Sequence, residues 1–323
     1  MAMKLFNREK EERSFLAVEL LNLLYNLFTT ILIIIFYDRL NNPGEMLLGR
    51  FYILAATFAL IFVYTKFPSP AMRLVRLVAQ MSLLSYWYPD TFEFNRIFPN
   101  LDHFFASAEL SLFGCQPALL FDTVCSSNLW RELFNLGYWS YYPMIVAVTL
   151  WYFFKRNKEV ERCTFVVMCS FFIYYLVYIF VPVAGPQFYF PVIGNELVAA
   201  GPYPSIGDYF NLNPGITIPQ ADKGGFFTSL VNMAQASGER PTAAFPSSHI
   251  GMSTILILLA LRVKKGLAAV LFPFYILLCC ATVYIKAHYL VDAFAGLLSG
   301  LLLYTFTGFL YRKFACPATD NGE

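Results

Sequence analysis

Apolar residues occur in long, nearly unbroken runs, near 16–37, 49–65, 72–89, 135–154, 163–182, 249–263, 266–287 and 289–311. A helix needs roughly 20 such residues to cross the hydrocarbon of a bilayer. The runs exceed the roughly ten-residue alternating strands of a membrane barrel, and only helices and closed barrels satisfy their backbone groups in lipid. The pattern predicts an all-α integral membrane protein with about eight transmembrane helices. Two longer polar stretches, 90–134 and 183–248, interrupt it. The second, rich in Gly, Pro and Asn from Gly185-Pro186 through GPYPSIGDYFNLNPG, reads as a folded loop, with a short helix from about Phe226 to Ala236.

Composition agrees with this class. Of 323 residues 58% are hydrophobic and 14% charged, against about 25% charged in soluble globular chains, which excludes soluble, fibrous and disordered readings. No basic tract suggests nucleic acid. The first run follows Lys4, Arg8, Lys10 and Arg13 and lacks a small-residue cleavage site after it, so it reads as a retained first helix. With the N-terminus in the cytoplasm, most of the 23 Lys and Arg fall inside, including Lys66, Arg73, Arg76, Lys155, Arg156, Lys158, Arg162, Arg262, Lys264, Lys265, Arg312 and Lys313. Both termini are then cytoplasmic and both polar stretches lie on the outer, periplasmic face. Compactness and the lack of targeting signals point to the inner (plasma) membrane. The simplest division is 1–134, N-terminal membrane helices with one outer loop, and 135–323, a catalytic membrane region with the other. Cys115 and Cys125, ten apart on the oxidising side, form a candidate disulfide, whereas Cys163, Cys169, Cys279, Cys280 and Cys316 read as packing residues.

The chain has three histidines, His103, His249 and His288. His249 ends the stretch Phe245-Pro246-Ser247-Ser248-His249 and begins one span; His288 lies in Lys286-Ala287-His288-Tyr289-Leu290-Val291-Asp292 and begins another. Asp292, four residues after His288, shares its face on a helix, and an ionised Asp entering a span needs a partner. These residues suggest an imidazole made nucleophilic, with Asp292 taking a proton from one ring nitrogen and fixing the tautomer of His288. His249 would protonate the departing oxygen as general acid. Phosphorus is the expected electrophile because Arg240 and Lys286 lie close in sequence, and the backbone N–H groups around Ser247 and Ser248 add anion-binding capacity.

The pair Phe-Pro-Ser-Ser-His (245–249) and His-Tyr-Leu-Val-Asp (288–292), with one helix between, resembles the type 2 phosphatidic acid phosphatase (PAP2) superfamily over roughly residues 170–310. That family's pattern is a PSGH-type segment and an SR-x5-H-x3-D segment, usually preceded by K-x6-R-P. The resemblance implies a PAP2-type helical core, a phosphohistidine formed on His288, an orienting Asp292 and a proton-donating His249. It implies a lipid phosphate substrate and no metal or other cofactor. Three positions differ: Ser248 stands for the Gly of PSGH, Ala281-Thr282 for the Ser-Arg pair, and Met233 seven residues before Arg240-Pro241. Lys286 and Lys223 are the candidates to replace the absent phosphate-binding groups. The short spacing from Arg240-Pro241 to His249 and the HY-x2-D ending resemble the branch with inositol phosphorylceramide synthases, which are lipid phosphotransferases.

The leading expectation is a metal-independent lipid phosphate phosphatase working at the outer face, with headgroup transfer to an alcohol or lipid acceptor as the alternative. A transporter, with Glu19 and Asp292 as ion-path groups, would carry paired broken helices in its two halves, which the sequence lacks. A non-catalytic membrane protein would use the histidines as hydrogen-bonded helix caps. His103 has no partner pattern, and Glu19 reads as a group placed near the cytoplasmic end of the first span or held by a buried hydrogen bond, in preference to proton transport. Zinc is disfavoured because no Cys or second acid shares the spacing of His249, His288 and Asp292.

Overall fold

The computed structural model describes residues 7–8, 15–218 and 224–315. Its helices are α1 (Ala17–Ile35), α2 (Pro43–Lys66), α3 (Pro70–Ser82), α4 (Leu84–Asn95), α5 (Asp102–Phe113), α6 (Pro117–Val124), α7 (Asn128–Trp139) and α8 (Tyr141–Lys155). They continue with α9 (Val160–Phe180), α10 (Pro186–Ile193), α11 (Asn195–Ala200), α12 (Tyr209–Leu212), α13 (Phe226–Gly238), α14 (Ser248–Val263), α15 (Lys265–Tyr284) and α16 (Leu290–Leu310). No strand occurs among the described residues. Proline opens α2, α3, α6 and α10, where its missing N–H costs no hydrogen bond.

The expectation of about eight spans is corrected. Among the described residues, five helical segments are long and apolar enough to cross a membrane: Ala17–Ile35, Pro43–Lys66, Asn157–Phe180, Lys265–Tyr284 and Leu290–Phe314. A sixth arises if α5 and α6, bent by 62° at their junction, count as one. The run at 72–89 fails because the chain breaks at Leu83, leaving α3 with 13 residues that include Arg73, Arg76 and Gln80. The run at 135–154 is divided at Ser140 between α7 and α8. The third, α14, has 16 residues, about 24 Å at 1.5 Å per residue, which is shorter than the hydrocarbon core. The polar stretch 183–248 is also more helical than its composition suggested, because positive-φ glycines at 185, 194 and 201 separate short helices instead of abolishing them. Cys115 and Cys125 are free thiols. Lys223 and Cys316 lie outside the described residues.

The chain packs as two compact units. One comprises the described residues up to Trp87, Thr149–Phe172 and those from Thr305; the other comprises Tyr88–Val148 and Ile173–Tyr304. In the first, α1 turns a polar stripe of Glu19, Asn22, Asn26 and Thr29, spaced three and four apart, into the protein. Leu20, Leu24, Leu27, Ile31 and Ile34 remain exposed, as lipid-facing positions require. Glu19 accepts Arg76 Nε at 2.7 Å and Arg76 Nη2 at 2.5 Å, Asn22 donates to Gln80 at 2.6 Å, and Trp87 Nε1 donates to Asn22 at 2.9 Å. Glu19 and Asn22 thus meet buried polar partners, as hydrocarbon demands.

In the second unit, α14 and α16 touch backbone to backbone. A Cβ on Gly300 would lie 2.6 Å from the Gly251 carbonyl oxygen, and one on Gly296 would lie 2.5 Å from that of Ser247. Small residues at this spacing let membrane helices approach closely. Helix α7 contacts α15 similarly, where a Cβ on Gly137 would fall 2.6 Å from Leu277 Cβ. Gly300→Val is expected to force α14 from α16 at a cost of about 1–3 kcal/mol. A lowered thermal midpoint in detergent, with helical content retained, is the result to look for; an unchanged midpoint would contradict this packing.

Candidate active site

Three chain segments of the second unit meet around His288. Helix α14 begins where Ser247 caps it, the hydroxyl accepting the Ile250 N–H at 3.4 Å, which puts His249 in its first turn. Helix α15 ends through a left-handed residue, Lys286 at φ 65°. The Lys286 N–H reaches the Val283 carbonyl at 3.0 Å, and that of His288 reaches Thr282 at 3.0 Å, a wrap-around termination of the kind glycine usually provides. The Lys286 carbonyl accepts the Gln187 N–H at 2.9 Å, tying this turn to α10. The third segment, 183–185, runs alongside: the Ala244 N–H donates to the Val183 carbonyl at 2.9 Å. Gly185, at φ 92°, passes so close that a Cβ would lie 2.6 Å from the Ala287 carbonyl oxygen.

These contacts aim the Ala244 carbonyl at His288 Nδ1, 2.7 Å away. A carbonyl can only accept, so Nδ1 carries the hydrogen and Nε2 keeps its lone pair. Asp292 Oδ2 lies 3.8 Å from the same Nδ1, beyond hydrogen-bond reach, and accepts the Tyr289 N–H at 2.8 Å. Asp292 therefore caps the start of α16 with its carboxyl group close to the ring, while a backbone carbonyl holds the tautomer. Asp292 Oδ1 is buried without a partner. The imidazole of His288 is itself buried. Burial pushes its pKa down to about 4, against the pull of the Ala244 carbonyl and the Glu239 charge.

His249 is half-buried, its ring 5.7 Å from that of His288 at an interplanar angle of 66°. Tyr138 stacks on it at 4.7 Å and Tyr141 tilts against it at 4.7 Å, and its Nδ1 is buried without a hydrogen-bond partner. The Ser248 N–H donates to the Tyr178 hydroxyl at 3.1 Å, which donates to the Pro246 carbonyl at 3.0 Å.

The expected phosphate-binding groups are dispersed. Arg240 is exposed. Lys286 directs its ammonium to Asp122, 2.9 Å away. The Ser247 hydroxyl is used as a helix cap, Ser248 is buried, and Lys223 is outside the described residues. Among the described residues, no group of three or more His, Cys, Asp or Glu is placed to hold a metal ion.

Several residues around the site escaped the sequence reading. Buried Asp102 accepts the N–H groups of Ala184 at 2.7 Å and Gly185 at 2.8 Å, together with the Tyr289 hydroxyl at 3.0 Å, so it braces both segments that flank His288. Glu109 accepts the Val291 N–H at 2.9 Å. Glu239 receives a 3.4 Å bond from Gln187, and burial lifts its carboxyl to about 7, against the lowering by His288 and Gln187. The available signals were the acids within 90–134, the Glu preceding Arg240-Pro241, and the aromatic run Tyr138-Trp139-Ser140-Tyr141-Tyr142.

A family model described as PAP2 superfamily matches residues 103–306, more than half of the chain. No curated protein and no solved structure matches. The matched region contains His249, His288 and Asp292.

The tautomer and the shift are both measurable. In a His103→Asn/His249→Asn variant, His288 is the single histidine, and its ¹⁵N resonances should titrate with a midpoint near 4. A depressed pKa leaves the ring neutral at all higher pH, with Nδ1 protonated and Nε2 bare. A midpoint near the ordinary ~6.5, or a bare Nδ1, would contradict the geometry.

Proposed function

The chain belongs to the PAP2 superfamily, and on that premise we propose that it is a metal-independent lipid phosphate phosphatase that works through a phosphohistidine. The observation that carries this reading is the bare Nε2 of a buried, neutral His288 with a second histidine 5.7 Å away. In the first step the Nε2 lone pair forms an N–P bond, the P–O bond to the lipid breaks, and His249 delivers a proton to the departing oxygen. Burial and the nearby His288 push the pKa of His249 down to about 3, so it enters the step as the imidazolium only when the negative charge of the bound phosphate raises that pKa. In the second, water attacks phosphorus, gives its proton to His249, and the N–P bond breaks to return free His288. Both steps conserve protons and need no electron donor or acceptor. The Ala244 carbonyl orients the ring, and Asp292 Oδ2, 3.8 Å from the same Nδ1, helps to offset the positive charge that develops on it.

We place the site on the extracytoplasmic face of a plasma or inner membrane. His249 and His288 lie at one end of α14 and α15, whereas Arg262, Lys264 and Lys265 occupy the opposite end, the end that the positive-inside preference assigns to the cytoplasm. Both chain termini are proposed on that side as well. A phosphotransferase reading is favoured by one observation, the pocket beside His249 that Tyr138 helps to line, which gives a second ligand a seat. The narrower likeness to inositol phosphorylceramide synthases rests on the Arg240-Pro241 to His249 spacing, on Phe245 before Pro246 and on the HY-x2-D ending.

The test is turnover by purified protein in a nonionic detergent with EDTA, on phosphorylated lipids and phospholipids, following inorganic phosphate and labelled headgroup. Phosphate release should fall by about 10³-fold or more in His288→Ala and by about 10²–10⁴-fold in His249→Ala. Headgroup appearing on an added alcohol in place of free phosphate would select the transferase. Undiminished turnover in His288→Ala would overturn the mechanism.

A further inference from the structure

Beside His249 lies a pocket walled by Tyr138, Trp139 and Tyr142, with Val231, Gln235 and Glu239 opposite. The attack on phosphorus and the hydrolysis of the phosphohistidine do not use it. Its aromatic wall comes from the end of α7 and the start of α8, and its other wall from α13 and the residue that follows it. The two walls are bound firmly together. Glu132 of α7 accepts the N–H groups of Gly225 at 2.9 Å, Phe227 at 2.9 Å and Thr228 at 3.1 Å, capping α13 with a carboxylate. Asn135 adds a 3.1 Å bond to the Thr228 hydroxyl.

Glu239 is the group in this pocket that calls for explanation. Its carboxylate has no Lys or Arg partner among the described residues, and the one hydrogen bond that the carboxylate accepts there is the 3.4 Å contact from Gln187. It is close enough to Tyr138 and Tyr142 for its charge to act on both hydroxyls. An unpaired carboxylate facing aromatic rings repels phosphate and attracts a cation, which the ring faces also favour. Tyr138 belongs to both sites, since its ring lines this pocket and stacks 4.7 Å from His249.

We propose that the Tyr138–Trp139–Tyr142–Glu239 pocket is a subsite for a positively charged ammonium group on the phosphorylated lipid or on the alcohol acceptor. The assignment rests on the phosphohistidine reading for the neighbouring seat. It makes the two seats complementary to the two ends of a zwitterionic headgroup, with phosphorus at His288 and ammonium against Glu239. Burial lifts the Glu239 carboxyl, and a bound cation offsets that cost of holding an anion there.

Binding is measured apart from turnover, by ligand-observed NMR on the detergent-solubilised protein with choline as probe and 3,3-dimethyl-1-butanol, its uncharged isostere, as comparison. Choline is expected to bind at least about tenfold more tightly than the isostere, and Glu239→Gln and Trp139→Leu to weaken choline by a similar factor. Equal binding of choline and isostere, or parental affinity in both variants, would overturn the subsite. Should Glu239→Gln fail to fold, Trp139→Leu and displacement of choline by tetramethylammonium but not sodium decide the matter. Choline binding without turnover of any lipid would refute the reaction and leave the subsite standing. Turnover indifferent to headgroup charge, with no choline binding, would do the reverse. Faster turnover of a choline-bearing phospholipid identifies the donor as the source of the ammonium, and transfer onto added choline identifies the acceptor.

Discussion

The hydrogen bond from His288 Nδ1 to the Ala244 carbonyl, 2.7 Å long, depends on three segments arriving together, and much of the second unit serves to bring them there. Ala244 is held by Val183, and Gly185 can pass the Ala287 carbonyl because it has no side chain. The turn that carries His288 is closed by the carbonyls of Val283 and Thr282 and tied to α10 through Gln187. Asp102 then fastens 184–185 and Tyr289 through one carboxylate. A backbone carbonyl is a more constrained partner than a side chain, because it moves only with the chain. The protonation of this ring is accordingly built into the fold.

That arrangement gives the acids distinct work. Asp292 lies four residues from His288 but is taken up by the first turn of α16. Glu132 caps α13, and Glu109 caps the chain entering α16 through the Val291 N–H. Carboxylates at helix N-termini satisfy N–H groups that lack partners within the helix and complement the helix dipole. Glu239 is employed in none of these ways. Its position at the pocket wall beside the histidines, with a single long hydrogen bond, is why it stands out as a ligand-facing group.

Within the first unit the same constraint works differently. There the polar stripe of α1 is satisfied by side chains, with Glu19 held by Arg76, and Asn22 by Gln80 and Trp87. Replacing Arg76 alone would leave Glu19 as a buried, unpaired charge, which is far more costly than having neither. Such pairs make the stripe a structural device, and no element of the transport reading is needed to account for Glu19.

The all-helical membrane class, the histidine-bearing helix starts and the family were legible in the sequence, because long apolar runs and the PSSH and H-x3-D spacings are local properties. Span number was not, since hydropathy cannot see the breaks at Leu83 and Ser140 or distinguish a 16-residue apolar helix from a crossing one. Helical spacing correctly put Asp292 near His288 but could not reveal that a carbonyl from residue 244 would lie nearer. Nor could the sequence reveal that Lys286, a candidate for phosphate, pairs with Asp122. Glu239, Asp102 and the tyrosines around His249 acquire meaning only through contacts between distant segments. The sequence alone determined the helical membrane class and the places where the histidine-bearing helices begin; the tertiary structure decided which polar groups meet, because in a low-dielectric interior a buried donor or acceptor can use only a partner that folding places within about 3 Å.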